Sequence, residues 1–293
     1  YIGITILSFI YLVIGTYIIL PDYKLSENIF DAINHAMAGQ STGGFSTLDD
    51  SIAGYHSISM DMLLLLPMIL GSLSLPFYFK VIKYKQISQF WKNLQTRSIL
   101  ILCITGSITL SLMLLKSGLI SEPFRIGIFQ FVSALTTTGW QTSDVHIWDS
   151  SSIVFIVMAG MVIGGAAGST VGGIKIIRVL LIFKGIFWNI TNYFSSDNSI
   201  KVVSFNERRL LPDEMNKELA SAATFTFIYL LFVLLSAFIT YYFMDDAYTF
   251  KDALFESASA QGTVGLSCGI TNPAMPPVLE ITYIIQMWAG RLE

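Results

Sequence analysis

The sequence is short of charge. Asp, Glu, Lys and Arg make up only 13% of its 293 residues, about half the share usual in a soluble globular domain. With a mean hydropathy of +0.64, that scarcity excludes a disordered or collagenous chain and argues against an ordinary soluble enzyme. Cysteine is scarcer: Cys103 and Cys268 fit no metal-ligand spacing and no disulfide framework. An excess of base is missing too. Lys plus Arg number 17 against 20 Asp plus Glu, a net charge of −3, so the positive footprint of a nucleic-acid binder is absent. What the chain has is apolar residues, 53% of the total. It begins at Tyr1 without methionine and stops at Glu293 inside an apolar run, and reads as part of a longer membrane protein.

A transmembrane helix needs about 20 mostly apolar residues. Residues 1–20, 62–79, 98–115, 153–174 and 220–244 meet that need without a charge, and a sixth segment begins at Val278. Six membrane helices, some truncated, are expected. Between them lie three shorter apolar stretches, 29–41, 124–136 and 250–262. As helices of about 13 residues they reach only ~20 Å, which suits re-entrant segments. Re-entry places Lys24, Lys116, Arg125 and Lys251 on one side. Lys80, Lys83, Lys85, Lys92, Arg97, Lys175, Arg178, Lys184, Lys201, Arg208, Arg209 and Lys217 fall on the other. The positive-inside rule then puts the short segments at the outer face. Asp49, Asp50, Asp61, Glu122, Asp144, Asp149, Asp245 and Asp246 make that face acidic, which concentrates cations.

The ends of the short segments repeat. They read Thr42-Gly43-Gly44-Phe45-Ser46, Thr137-Thr138-Gly139-Trp140-Gln141 and Thr263-Val264-Gly265-Leu266-Ser267. The pattern is Thr-x-Gly, then a large apolar residue, then a polar one. Asp31 aligns with Asp252, and Glu256 with His35 and Gln130. Repetition of a whole supersecondary unit is a far stronger signal than one motif. Glycine presents its carbonyl in conformations closed to other residues, and carbonyls from several copies can replace the hydration shell of a cation. The C-terminal end of each short helix directs partial negative charge at such an ion. Phe45, Trp140 and Leu266 are expected to wedge the turns against neighbouring helices. Glu256 is expected to be a structural carboxylate rather than an ion ligand, and His56 and His146 to be solvated.

On these residues the chain resembles the Trk/Ktr/HKT superfamily of cation-translocating membrane subunits, looking most like its bacterial and archaeal Trk/Ktr members. The resemblance implies an all-α membrane protein of repeated helix–pore loop–helix units, like a potassium channel pore on one chain. Residues 1–90, 91–195 and 196–293 would be the second, the third and a truncated fourth of four units, with the first filter absent. The implied selectivity filter is Thr42, Gly43, Gly44, Phe45, Thr137, Thr138, Gly139, Trp140, Thr263, Val264, Gly265 and Leu266.

Two further motifs strengthen the likeness. Residues 164–175 crowd small side chains into an apolar span. A nucleotide phosphate loop does not fit, because the Gly-Lys-Ser/Thr ending is missing. Family members carry an intramembrane gate there, which implicates Gly164, Gly165, Gly168, Ser169, Thr170, Gly172, Gly173 and Lys175. Gly290-Arg291-Leu292-Glu293 places a costly arginine in the last span, where the family has an electrostatic barrier below the filter. The resemblance thus implies K+ as transported ion, with sodium permeation or coupling as the alternative, and no organic cofactor. It also implies a homodimer in the plasma membrane on a cytosolic ring of nucleotide-binding regulatory subunits. No zinc-protease or nucleophile-elbow motif supports an enzyme, and a membrane scaffold would not need three filter-like turns.

Overall fold

The computed structural model describes residues 2–85, 89–118, 120–148, 150–194, 202–206 and 208–291. Of the positions singled out above, Tyr1, Asp149, Lys201, Leu292 and Glu293 lie outside the described residues.

Each unit opens on an unbroken apolar helix: α1 (Ile2–Ile19), α6 (Leu94–Ser117) and α10 (Pro212–Phe243). Among the described residues these three are long and apolar enough to cross a membrane. Short helices follow at α2 (Leu25–Ser41), α7 (Pro123–Leu135) and α11 (Phe250–Gln261). Each packs against the long helix before it, α2 on α1, α7 on α6 and α11 on α10. They are the buried centre of the fold: Ala36, Phe129, Leu135, Ala253 and Phe255 are fully enclosed. The outer surfaces of α1, α6 and α10 remain covered with exposed isoleucine, leucine and phenylalanine, as a lipid-facing wall requires.

The first returning helix differs from the single span expected over 62–79. Residues 62–79 do not form one helix: α3 (Ile58–Ser72) and α4 (Leu75–Tyr84) meet at a 93° bend. The bend falls at Leu73-Ser74, where the Ser74 hydroxyl accepts the Phe77 N–H and Pro76 occupies the first turn of α4, a favoured helix start. In the span expected over 153–174 the glycine-rich run interrupts the helix, as the resemblance implied. α8 (Ser151–Ile163) ends at Gly164, and a non-helical loop leads to α9 (Ile176–Tyr193). The two breaks satisfy each other: Leu75 N–H donates to Gly168 O at 2.9 Å, and Ala166 N–H to Ser72 O at 3.1 Å. Broken backbone at membrane depth survives only with such partners. The last helix, α12, is described over Pro277–Ala289, and Arg291 follows it in a turn.

On the side carrying the basic stretches lies a short helix α5 (Gln89–Lys92). There too a hairpin pairs β1 (Val203–Phe205) with β2 (Arg208–Leu210), Val203 opposite Leu210. Val203, Phe205 and Leu210 cover Leu181, Trp188, Met215 and Ala222, a second small core between α9 and α10.

Candidate functional site

The three Thr-x-Gly turns have one backbone conformation. Thr42, Thr137 and Thr263 all take left-handed φ, at 53°, 48° and 49°. Such values are outliers for a β-branched residue. The glycines two residues on are left-handed as well, Gly44 at 70°, Gly139 at 85° and Gly265 at 98°. Hydrogen bonds explain the threonines. Each threonine N–H returns to the carbonyl three residues back, Gly39, Ala134 or Ala260. The next N–H returns to the carbonyl five back, Ala38, Ser133 or Ser259. That double return is the Schellman helix ending, whose left-handed position is normally glycine. A threonine there stores strain on the order of 1–3 kcal/mol per copy, and the placement escaped the sequence pattern.

The turns face one another. A Cβ on Gly139 would stand 1.9 Å from the Val264 carbonyl oxygen, and one on Gly44 would stand 2.2 Å from that of Thr138. Only glycine allows the carbonyl before one turn's glycine to come so close to the glycine of another. Thr136, Thr137, Thr138 and Trp140 are fully buried. Ser133 Oγ donates to Trp140 O at 2.8 Å, fixing the second turn from behind.

Trp140 and Leu266 are buried wedges as expected. Phe45 is not: it is 80% exposed, and its turn borders a cavity of about 560 Å³ whose wall includes Thr263, Gly265 and, on α12, Tyr283 and Met287. Phe45 is nevertheless held through its carbonyl, which accepts the Trp140 indole N–H at 3.0 Å. Gln141, marked in the sequence only as the polar end of the repeat, joins two turns. Its Nε2 donates to Ser267 O at 2.9 Å, and its carbonyl accepts Ala53 N–H at 3.1 Å.

The aligned residues His35, Gln130 and Glu256 occupy equivalent places. Each bonds the stretch just after its own turn: His35 Nε2 lies 3.2 Å from Ser46 Oγ, and Gln130 Nε2 donates to Ser143 O at 3.3 Å. Glu256 accepts Ser267 Oγ at 2.8 Å, Cys268 N–H at 3.1 Å and Thr271 N–H at 3.3 Å. Its role is structural, as expected. Asp31 and Asp252 part company: Tyr23 and Tyr55 donate to Asp31, while Asp252 closes the capping box of α11 with Thr249. Burial first, then the Asp31 charge, holds the Tyr55 phenol above its ordinary range, so it remains a donor. His56 is exposed as expected. His146 is exposed but has partners, packing edge-on to Tyr248 and lying 3.9 Å from Asp252.

Beneath the turns, the loop after α8 touches all three. Gly172 N–H donates to Thr137 Oγ1 at 3.0 Å. The hydroxyls of Thr170 and Thr42 lie 3.2 Å apart, and Thr170 Oγ1 also reaches Gln40 O and Gly71 O. A Cβ on Gly172 would stand 1.9 Å from Gly262 O, at the entry to the third turn. Ser169 Oγ donates to Ala166 O inside the loop, and Gly164, Gly168 and Gly173 all have positive φ. Gly165 packs against Val171 and the Ser72 carbonyl. Lys175 is buried and donates to Val171 O. Arg291 crosses from the end of α12 to donate to Thr170 O at 2.7 Å.

Similar proteins agree with this architecture. The model of a family described as TrkH, cation transport protein, matches residues 1–293. An uncharacterised cation transporter of Methanocaldococcus jannaschii is 30% identical over 97% of this chain and 55% of its own length. The Trk system potassium uptake protein TrkG of Escherichia coli is 27% identical over 90% of this chain and 54% of its own length. The chain thus spans about half the length of these relatives. The crystal structure of the potassium transporter TrkH from Vibrio parahaemolyticus superposes with a TM-score of 0.83 at 21% identity. That match covers 100% of this chain and 60% of the other, a likeness of fold. With three helices long and apolar enough to cross a membrane among its described residues, the chain is a multi-pass membrane protein, and it belongs to the TrkH cation transport family.

Proposed function

We propose that this chain forms most of a gated pathway for potassium ions. The observation that carries the reading is the shared backbone of the three turns, each left-handed at threonine and at glycine. Two of the turn glycines pack against the carbonyl of another turn. Residues 42–45, 137–140 and 263–266 would line the pathway with backbone oxygens that replace water around a dehydrated cation. Thr263 Oγ1, buried without a partner among the described residues, adds a further oxygen. The ends of α2, α7 and α11 contribute negative partial charge. The membrane potential would drive entry with about 2.3 kcal/mol per charge per 100 mV.

Loop residues 164–175 would be the gate. In the docked position Gly172 and Thr170 are tied to the turns above, and Arg291 holds the loop from the side. Release would require those bonds to break together, which suits a two-state element. Potassium rather than sodium is favoured by a glycine in each of the three turns and by the name of the Escherichia coli relative, a potassium uptake protein. A homodimer seated on a cytosolic ring of nucleotide-binding subunits fits the resemblance and the basic stretches around α4 and α9. Rubidium uptake into vesicles holding the full-length protein tests the reading. Uptake that grows with an inside-negative potential is expected; vesicles as tight as protein-free ones would contradict it.

A further inference from the structure

A cavity of about 440 Å³ opens between α5, the start of α6, α9 and β1. Its wall is apolar, made of Leu94, Leu180, Phe183, Phe187 and Phe205, and its rim carries Lys92, Lys184, Ser204 and Asn206. Among the described residues no acid lines it, and neither lysine has an ion pair. The cavity at Arg208, Arg209 and Lys217 also contains Glu214 and Glu218, which offset two of its three positive charges. The cavity at Leu7, Leu75 and Phe79 has no charge at all. Two bases with no acid among the described lining residues, beside an open aromatic wall, set the α5–α9 cavity apart.

Its depth is fixed by its neighbours. α6 spans the membrane and starts at Leu94, capped by the Asn93 side chain, so Lys92 stands at the membrane surface on the basic side. Trp91, 69% exposed, sits beside it, where amphipathic rings collect at interfaces. Phe183 and Phe187 lie one turn apart on α9 and are both exposed, facing where acyl chains run.

We propose that this cavity binds an anionic phospholipid. Its phosphate would sit between Lys92 and Lys184, with Ser204 and Asn206 as donors, and one acyl chain would lie along Phe183 and Phe187. Two lysines match the negative headgroup, and each is worth on the order of fivefold in affinity near an anionic surface.

Native mass spectrometry of the full-length protein from nanodiscs of phosphatidylcholine with a minor share of phosphatidylglycerol tests the site. Retained phosphatidylglycerol is expected in the native protein, falling about 25-fold in the Lys92→Gln/Lys184→Gln variant. Lys80→Gln/Lys83→Gln removes the same charge from α4 and should leave retention intact, as should Lys92→Arg/Lys184→Arg. Ser204→Glu leaves both lysines in place, puts an acid at the rim, and should release the lipid. The site is overturned by equal retention of phosphatidylcholine, or by loss in the α4 control as large as in the cavity variant. It is also overturned if soluble glycerol phosphate, which has no acyl chain, competes as well as the lipid.

Discussion

The hydroxyl of Thr137 accepts the backbone N–H of Gly172 at 3.0 Å, so one threonine both enters the second turn and fastens the loop below it. Its left-handed φ of 48° gives a clean test of the turn geometry. Thr137→Ala and Thr137→Gly both free the Gly172 N–H, but only glycine relieves the backbone. Thr137→Gly should therefore be more stable than Thr137→Ala by about 1 kcal/mol, read by thermal unfolding in detergent. The reverse order would place Thr137 outside the left-handed region.

Loop docking has a second clamp. The guanidinium of Arg291 donates to Thr170 O at 2.7 Å, and a bond from a charged donor is worth roughly 1.5–3 kcal/mol. Arg291→Ala should shift the loop toward release and raise basal rubidium flux about tenfold or more. Unchanged or reduced flux would mean that Arg291 does not hold the gate shut.

An ion pair joins two units. Arg125 Nε on α7 donates to Asp61 on α3 at 2.6 Å, and its Nη1 to Glu122 at 2.6 Å; the Asp61 side chain is fully buried. Arg125→Gln leaves that carboxylate unpaired at a cost of about 3–5 kcal/mol. Asp61→Asn/Arg125→Gln should recover most of the loss, again by thermal unfolding. A double variant as unstable as the single one would assign the damage to Glu122 instead.

Glu256 holds the segment after the third turn by accepting from Ser267, Cys268 and Thr271. Glu256→Ala should lower stability by about 1–3 kcal/mol for each donor left buried and narrow the preference for potassium over sodium in bi-ionic potentials. Glu256→Gln keeps acceptor oxygen and should do less of both. Full discrimination in the alanine variant would detach this carboxylate from the turn.

The units were legible because membrane thickness is a ruler: thirteen apolar residues cannot span, and three such stretches ended in one motif. Charge placement adds an expected side, the outer face, on which they would lie. The bend between α3 and α4 was harder to read. Leu73-Ser74-Leu75-Pro76 looks like uninterrupted apolar sequence, and the bend is stabilised by carbonyls and amides of a loop about 90 residues away in the chain. Left-handed threonines were hidden for the same reason, since a Schellman ending is a hydrogen-bond pattern and its usual marker is glycine. Phe45 was misjudged because a wedge needs a neighbour, and apolar character does not say which way a ring turns. Gln141 and Gly172 work across the chain, beyond the reach of local spacing.

The central claim is that the three turns together select the ion, and the second turn offers the sharpest test. Gly139 has φ of 85°, and any side chain there would strike the Val264 carbonyl. Potassium and sodium permeability should be compared in vesicles holding the full-length protein and its Gly139→Ser variant. The account predicts potassium-preferring flux in the native protein, and a variant that loses flux or passes sodium nearly as well. A Gly139→Ser protein with native flux and native preference would contradict it.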